Sequence, residues 1–212
     1  MTTKGSVFDG FVSGKVYDRL AGIFGFGPSL YKKAAELIVL EQGEVILDLG
    51  CGTGSFSVAV LEKAGKAVEI HGVDLSNKQL DVAKEKVEEK GVKFVSHLCS
   101  MDELPFSSDS FDLVISSLAI HAASPPVRRT TIKEIARVLK NNGSFVLVDW
   151  TRPKTIFARL LYLPFSPYIM GESARDNWNN VFPELCENEH LKLKTDTFIN
   201  SFVKFQHYVK TQ

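Results

Sequence analysis

Cysteine is scarce in this chain. Cys51, Cys99 and Cys186 are the only three, odd in number and far apart. With no C-x-x-C pair, neither a disulfide framework nor a structural zinc site is expected. The histidines do not fall at ligand spacing, so no metal is expected. Charge of one sign is missing as well, since 25 basic and 25 acidic residues cancel. That argues against a nucleic-acid-binding field or a broad membrane patch, and the pair Arg128-Arg129 reads as solvated surface. No run reaches ~18 apolar residues, the length a membrane-spanning helix needs. The opening residues, Met1-Thr-Thr-Lys-Gly-Ser, contain no apolar signal core. A soluble cytosolic protein with reduced thiols is expected.

What the chain does have is an ordinary globular balance, 44% hydrophobic and 24% charged over 212 residues, enough for one domain with a small cap. Short apolar runs rich in Val, Ile and Phe predict strands at Val45–Leu49, Val68–Asp74, Val92–His97, Phe111–Leu118 and Ser144–Trp150. Helical patterns lie between them. Ser55–Ala64 follows a glycine turn. Asn77–Lys90 has Ser76 as N-cap, Gln79 completing an S-x-x-Q capping box, and Gly91 as its stop. A third helix begins near Ser124 or Pro125, carries Ile132, Ile135, Ala136 and Leu139 on one face, and closes at Asn141-Asn-Gly143. Such alternation means a doubly wound α/β fold, a mostly parallel sheet with helices on both faces. The tail differs. Leu191–Ile199 alternates with period 2, Asn200-Ser201 interrupts, and the pattern resumes over Phe202–Val209, as expected of an antiparallel strand pair.

The densest signal is Val45-Ile-Leu-Asp-Leu-Gly-Cys-Gly-Thr-Gly-Ser55, a buried strand running into glycines at 50, 52 and 54. A turn without side chains lets backbone approach a ligand closely. The spacing is G-x-G-x-G, with Ser55 where the third glycine of a dinucleotide fingerprint would stand, and no G-K-[ST] follows, which excludes a P-loop. Asp48 is a carboxylate in an apolar strand and calls for a positive or hydrogen-bonding partner, such as a ligand ammonium. Asp74 ends the second strand, where doubly wound folds place a carboxylate that accepts both ribose hydroxyls; an ordinary turn aspartate is the plainer reading.

Two further segments follow in order: Asp102-Glu-Leu-Pro-Phe-Ser-Ser-Asp-Ser-Phe-Asp-Leu-Val114 leading to Ile115-Ser-Ser-Leu-Ala-Ile-His121, and Glu134-Ile-Ala-Arg-Val-Leu-Lys140. With these elements together, the chain resembles the class I S-adenosylmethionine-dependent methyltransferases, and within them the branch of ubiquinone/menaquinone-biosynthesis enzymes. The resemblance covers roughly Tyr17 to Trp150. It implies a Rossmann-like, seven-stranded sheet, S-adenosyl-L-methionine as cofactor and S-adenosyl-L-homocysteine as product. It implies that Asp48, Gly50, Gly52 and Gly54 line the methionine part, that Asp74 holds the ribose, and that Leu75 packs on the adenine. Residues just before Leu104-Pro-Phe106 would read the adenine edge. Many relatives carry an acid where this chain has Ser100; its hydroxyl can still accept from the adenine amino group, Asp102 can substitute, and the Met101 N–H can meet a ring nitrogen. Lys140-Asn-Asn-Gly143 stands where relatives have Lys-Pro-Gly-Gly, and Asn and Gly both tolerate the turn.

On the acceptor side, Ser117 and His121 lie at or beyond the end of the fourth strand, where ligands of open α/β sheets bind. Both are expected to face the methyl group, His121 as general base; a cap or polar wall residue is the alternative for it. Trp150 ends the fifth strand as a wall of the acceptor pocket or as a core aromatic. Tyr17, in a Tyr-Asp pair shared with relatives, closes a lid over the cofactor or simply packs within it, and Gly22, Gly25 and Gly27 would let that lid move. The apolar stretch Ile156–Met170, with Arg152, Lys154 and Arg159 interleaved, is expected to cap an apolar or aromatic acceptor, such as a lipid or quinone precursor. It also suits peripheral contact with an anionic membrane, or serves as the cap's own core. The chain then divides into a lid (1–40), a cofactor core (41–150), a cap insertion (151–190) and the strand pair (191–212). In-line methyl transfer to a small-molecule acceptor is the expected reaction, with no nucleic acid as partner. A nicotinamide oxidoreductase and a non-catalytic cofactor sensor or assembly protein stay open as alternatives.

Overall fold

The computed structural model describes residues 27–64, 68–161 and 172–211. The expectations for Tyr17 and for the glycines at 22 and 25 lie outside the described residues, as does most of the expected cap, 162–170.

β1 (Val45–Leu49) is buried on both faces, which is why it reads as an apolar run broken only by Asp48. It pairs in parallel with β2 (Glu69–Asp74) and β4 (Phe111–Ser117); β2 continues to β3 (Phe94–Leu98), and β4 to β5 (Leu139–Trp150). The tail forms β6 (Leu191–Phe198) and β7 (Val203–Lys210), antiparallel to each other, with β7 antiparallel to β5. The order β3-β2-β1-β4-β5-β7-β6 gives the seven-stranded sheet. Strand order reverses between β1 and β4, so a crevice opens beyond their carboxyl ends.

Each face has its own core. On one, α1 (Pro28–Glu36), α2 (Ser55–Ala64) and α3 (Asn77–Glu88) press Ala34, Phe56, Val60 and Ala83 onto Ile46, Ile70 and Ile115. On the other, α4 (Pro125–Val138) and α7 (Phe182–Glu187) set Ile132, Ile135 and Phe182 against Leu47, Val114 and Leu147. Residues 28–36, expected within the lid, are thus a core helix. Two short helices, α5 (Ile156–Leu161) and α6 (Glu172–Asn179), follow β5. Residues 99–110, between β3 and β4, contain no helix.

Three local expectations are corrected. Ser76 does cap α3, accepting from the Gln79 N–H at 3.4 Å. The reciprocal bond of the capping box is absent, because Asp74 Oδ1 takes the Ser76 N–H at 2.9 Å and the Gln79 side-chain oxygen is buried without a partner. The expected helix-to-strand turn at 141–143 lies inside β5, which begins at Leu139; a register shift opposite Phe111–Leu113 absorbs the extra residues, with Asn142 at φ 65°. Arg128 is not surface: it is fully buried, while its neighbour Arg129 is exposed. A paired guanidinium and a solvated one look alike in sequence.

Candidate active site

The turn after β1 is held by a carboxylate. Asp74 Oδ2 accepts the Gly52 N–H at 3.0 Å while Oδ1 takes that of Ser76, so one side chain joins the turns that follow β1 and β2. The three glycines, all at positive φ, have unequal surroundings. A Cβ at Gly50 would stand 2.4 Å from the Ala119 Cβ, and one at Gly54 would stand 3.0 Å from Ala83 on α3. A Cβ at Gly52 would meet nothing within 4 Å. Gly50 and Gly54 therefore let chain segments close on one another, and Gly52 offers its backbone to open space.

Asp48 lies behind this turn, 1% exposed. Ser57 Oγ donates to its Oδ2 at 2.6 Å, and its Oδ1 has no partner. Burial, helped by the nearby Asp74 charge, pushes its carboxyl up to about 7. A buried carboxylate with one unmet oxygen is suited to a cation, and the ammonium of a bound amino-acid moiety fits that description.

Beyond β2 and β3 lies an open cleft of about 590 Å³, lined by Leu75, Cys99, Ser100, Glu103, Leu104 and Pro105. Ser100 Oγ donates to Asp102 Oδ1, and the Glu103 N–H closes the turn onto the Ser100 carbonyl at 3.1 Å. With its O–H directed at Asp102, the Ser100 oxygen still has lone pairs with which to accept from a ligand. Met101 approaches the Gly50 turn, its Cε 3.6 Å from where a Cβ would stand. Leu75 and Ser100 thus line the cleft, Met101 reaches the glycine turn, and Asp102 is bonded to Ser100.

A second cluster stands at the ends of β4 and β5. Ser117 is the last residue of β4, paired with Val148, and Ser116 Oγ donates to the Leu49 carbonyl at 2.8 Å. The chain then turns through Leu118 at φ 50° into a short 3₁₀ turn, Ile120–Ala122. His121 Nδ1 is 2.8 Å from Asp149 Oδ1, and the His121 N–H reaches Oδ2 at 3.3 Å. The Trp150 N–H also donates to Oδ1, at 2.8 Å, and the Trp150 ring lies edge-on to the imidazole, centroids 5.9 Å apart. A carboxylate at Nδ1 fixes the tautomer and leaves Nε2 as the acceptor. Behind the turn, Arg128 donates to the carbonyls of His121 (3.0 Å) and Ala123 (3.1 Å) and pairs with Asp176 of α6 at 2.8 Å. Asn177, also on α6, donates to the Trp150 carbonyl at 2.9 Å. The Gly50–Ala119 approach brings this cluster against the glycine turn.

Asp149 and Arg128 escaped the sequence reading. The signal for Asp149 was a carboxylate ending the strand Phe-Val-Leu-Val-Asp-Trp150, the same anomaly that drew attention to Asp48. No metal cluster of three or more His, Cys, Asp or Glu is formed among the described residues, and no described helix is long and apolar enough to cross a membrane.

A family described as a methyltransferase domain matches residues 46–143. The demethylmenaquinone methyltransferase of Bacillus velezensis is 32% identical over 159 residues, 74% of this chain and 67% of that protein. The protein of the same description from Bacillus subtilis is 31% identical over 159 residues, with the same coverage of 74% and 67%. The chain thus spans about two thirds of the length of these relatives. Among solved structures, a SAM-dependent methyltransferase from Aquifex aeolicus superposes with a TM-score of 0.70 at 16% identity, over 92% of this chain and 96% of that one, which shows the shared fold. The chain belongs to the class I S-adenosylmethionine-dependent methyltransferases, in their menaquinone/ubiquinone branch, and is an enzyme that uses S-adenosylmethionine and yields S-adenosylhomocysteine.

Proposed function

We propose that this enzyme methylates a small aromatic acceptor of the quinone-precursor class, with His121 as the base that takes the acceptor's proton. One observation carries the reading: the imidazole at the mouth of β4 is held by buried Asp149 at 2.8 Å. Bound S-adenosylmethionine supplies an electrophilic methyl on a sulfonium. Asp48 would neutralise its ammonium, with Gly50, Gly52 and Gly54 shaping the turn around the methionine part. Asp74 would hold the ribose, Leu75 would pack on the adenine, and Ser100, Met101 and Asp102 would read its edge. Ser117 and His121 would face the methyl group. In a hydroquinone acceptor, His121 Nε2 takes the hydroxyl proton, and Asp149 stabilises the imidazolium that forms. The electron-rich ring carbon would then attack the methyl as the methyl–sulfur bond breaks, leaving the thioether S-adenosylhomocysteine, and the ring would lose its C–H proton to solvent while the His121 imidazolium returns a proton to the oxygen. An oxygen acceptor needs the same proton removed.

Within residues 1–40 the part before the core helix at 28–36 would supply the lid, with Tyr17 over the cofactor, while 41–150 would form the cofactor core, 151–190 the acceptor cap and 191–212 the closing strand pair. The apolar face of α5 supports an apolar acceptor: Ile156 is 73% exposed, Phe157 78% and Leu160 60%. With Arg152, Lys154 and Arg159 alongside, that face also suits peripheral contact with an anionic lipid surface; co-sedimentation with phosphatidylglycerol vesicles that Phe157→Glu leaves undiminished would refute this. Free Cys51, Cys99 and Cys186 favour a reducing compartment, as in the cytosol; a disulfide found between any two of them in protein isolated from cells would count against it.

The direct test supplies methyl-labelled S-adenosylmethionine with a reduced, short-chain demethylmenaquinone. Labelled product that His121→Ala largely abolishes is expected. Tight S-adenosylhomocysteine binding without labelled product, from this acceptor or from cell lipid extract, would favour a non-catalytic sensor; no observation on this chain favours that reading.

A further inference from the structure

The connection from β3 to β4 is unusual for a parallel crossover, which ordinarily carries a helix. Here residues 99–110 have none, yet this segment walls the cleft from Cys99 to Pro105. An irregular loop has no internal ladder, so its backbone groups need partners from elsewhere. The last turns of α4 provide them. Glu134 Oε2 accepts the Leu104 N–H at 2.9 Å. Arg137 donates to the Leu104 carbonyl at 3.2 Å and to the Phe106 carbonyl at 2.6 Å. The two side chains are locked together in a two-point fork, Nε to Oε1 at 2.8 Å and Nη2 to Oε2 at 2.7 Å. Hydrogen bonds from Arg137 hold the Glu134 carboxyl below the usual carboxylate range, so it stays an acceptor at neutral pH. Farther along, the Asp109 and Ser110 N–H groups reach the carbonyls of Arg137 and Val138 at 3.0 and 2.8 Å.

We propose that Glu134 and Arg137 are positioning residues for cofactor binding: as a fork on α4 they hold the helix-free loop from Ser100 to Phe106 in the shape that receives the adenine. The inference rests on the assignment of the cleft to the adenine. The fork touches only the loop backbone, so it acts through the residues that line the cleft. It orders the loop before the cofactor arrives, and a loop freed from it has to be ordered by the cofactor itself, at the expense of affinity. The fork fits the backbone because it pairs a planar two-point donor with a carboxylate; lysine at 137 would keep the charge and lose the geometry.

The test titrates S-adenosylhomocysteine into wild type, Arg137→Ala, Arg137→Lys and Glu134→Gln, and measures KM and kcat for each. Arg137→Ala is expected to raise the Kd and the KM for S-adenosylmethionine about ten-fold. Its kcat at saturating cofactor and its acceptor KM should stay within about two-fold, because the reacting end is untouched. Arg137→Lys and Glu134→Gln should fall between, and they carry the test if Arg137→Ala does not fold. Cofactor Kd and KM unchanged in folded variants, whatever their melting temperature, would overturn the proposal, as would a loss confined to kcat. A folded Leu75→Trp variant, which would fill the cleft, that bound S-adenosylhomocysteine as tightly as wild type would instead refute the cleft assignment.

Discussion

Where β1 and β2 end, the crevice is shaped by backbone: three glycines at positive φ, open space beside the Gly52 Cα, and Asp74 joining two turns through the Gly52 and Ser76 N–H groups. Where β4 and β5 end, the work falls to side chains, with Asp149 holding His121 and buried Arg128 pinning the turn beneath it to Asp176. A backbone-built site is set by residue types close in sequence. A side-chain-built one is set by partners brought together from 28 and 48 positions apart. The first tolerates little change at Gly50 and Gly54. The second offers charges that can be exchanged as the acceptor changes.

The sharpest break is expected on the side-chain half. His121→Ala should lower kcat by about 10²–10⁴-fold with cofactor Kd unchanged, and Asp149→Asn should lower it substantially with the folded structure retained. Steady-state rates and calorimetric titration of the same preparations decide this; equal losses in kcat and cofactor affinity would mean the two halves are not separable. Arg128→Met removes a fully buried cation and strands two carbonyls and Asp176. Asp176 is partly exposed, so the loss should be about 3 kcal/mol, at the low end for breaking a buried pair, read by urea denaturation.

On the backbone half, Gly50→Ala meets Ala119 at 2.4 Å and should lose about 2–4 kcal/mol from overpacking and a left-handed backbone together. Gly52→Ala has open space around it and should lose only the conformational part, about 1–2 kcal/mol. Equal losses at the two glycines would contradict the difference in their surroundings. A separate effect concerns pH. Asp48 titrates near 3.8 when unfolded and at about 7 when folded. Between these values the native chain keeps a proton that the unfolded chain has released, so stability without ligand should fall as pH rises through that window. A cofactor ammonium favours the ionised form, so S-adenosylhomocysteine should bind more tightly as pH rises from about 5 to 8 and release a proton on binding. Asp48→Asn should flatten both dependences, seen in melting curves and in titrations across buffers of different ionisation enthalpy.

The same division explains what could be read in advance. Gly50, Gly52, Gly54 and Asp74 declare themselves because positive φ and a strand-end carboxylate are local requirements. The sheet and both helix-bearing faces follow from runs such as Val45–Leu49 and from the period-2 tail. Arg128 reads as surface because nothing near it in sequence reveals Asp176. Asp149 ends an apolar strand as plainly as Asp48 interrupts one, but its partner His121 lies 28 positions away. The Gln79 half of the capping box failed because Asp74 competes for the same N–H. Glu134 and Arg137 stood out only as part of a family resemblance, since their partners are carbonyls and an amide of a loop with no pattern of its own.

Asp74 has a consequence for anyone who would re-engineer this protein. Its two oxygens fasten the turn after β1 and the start of α3, on the same carboxylate that is assigned to the ribose. A substitution chosen to admit an altered sugar would also loosen the Gly52 amide and the Ser76 cap. On the proposed ribose assignment, donor preference and scaffold integrity would share one side chain, so a designer would have to supply new anchors for both turns before the sugar pocket could be redrawn.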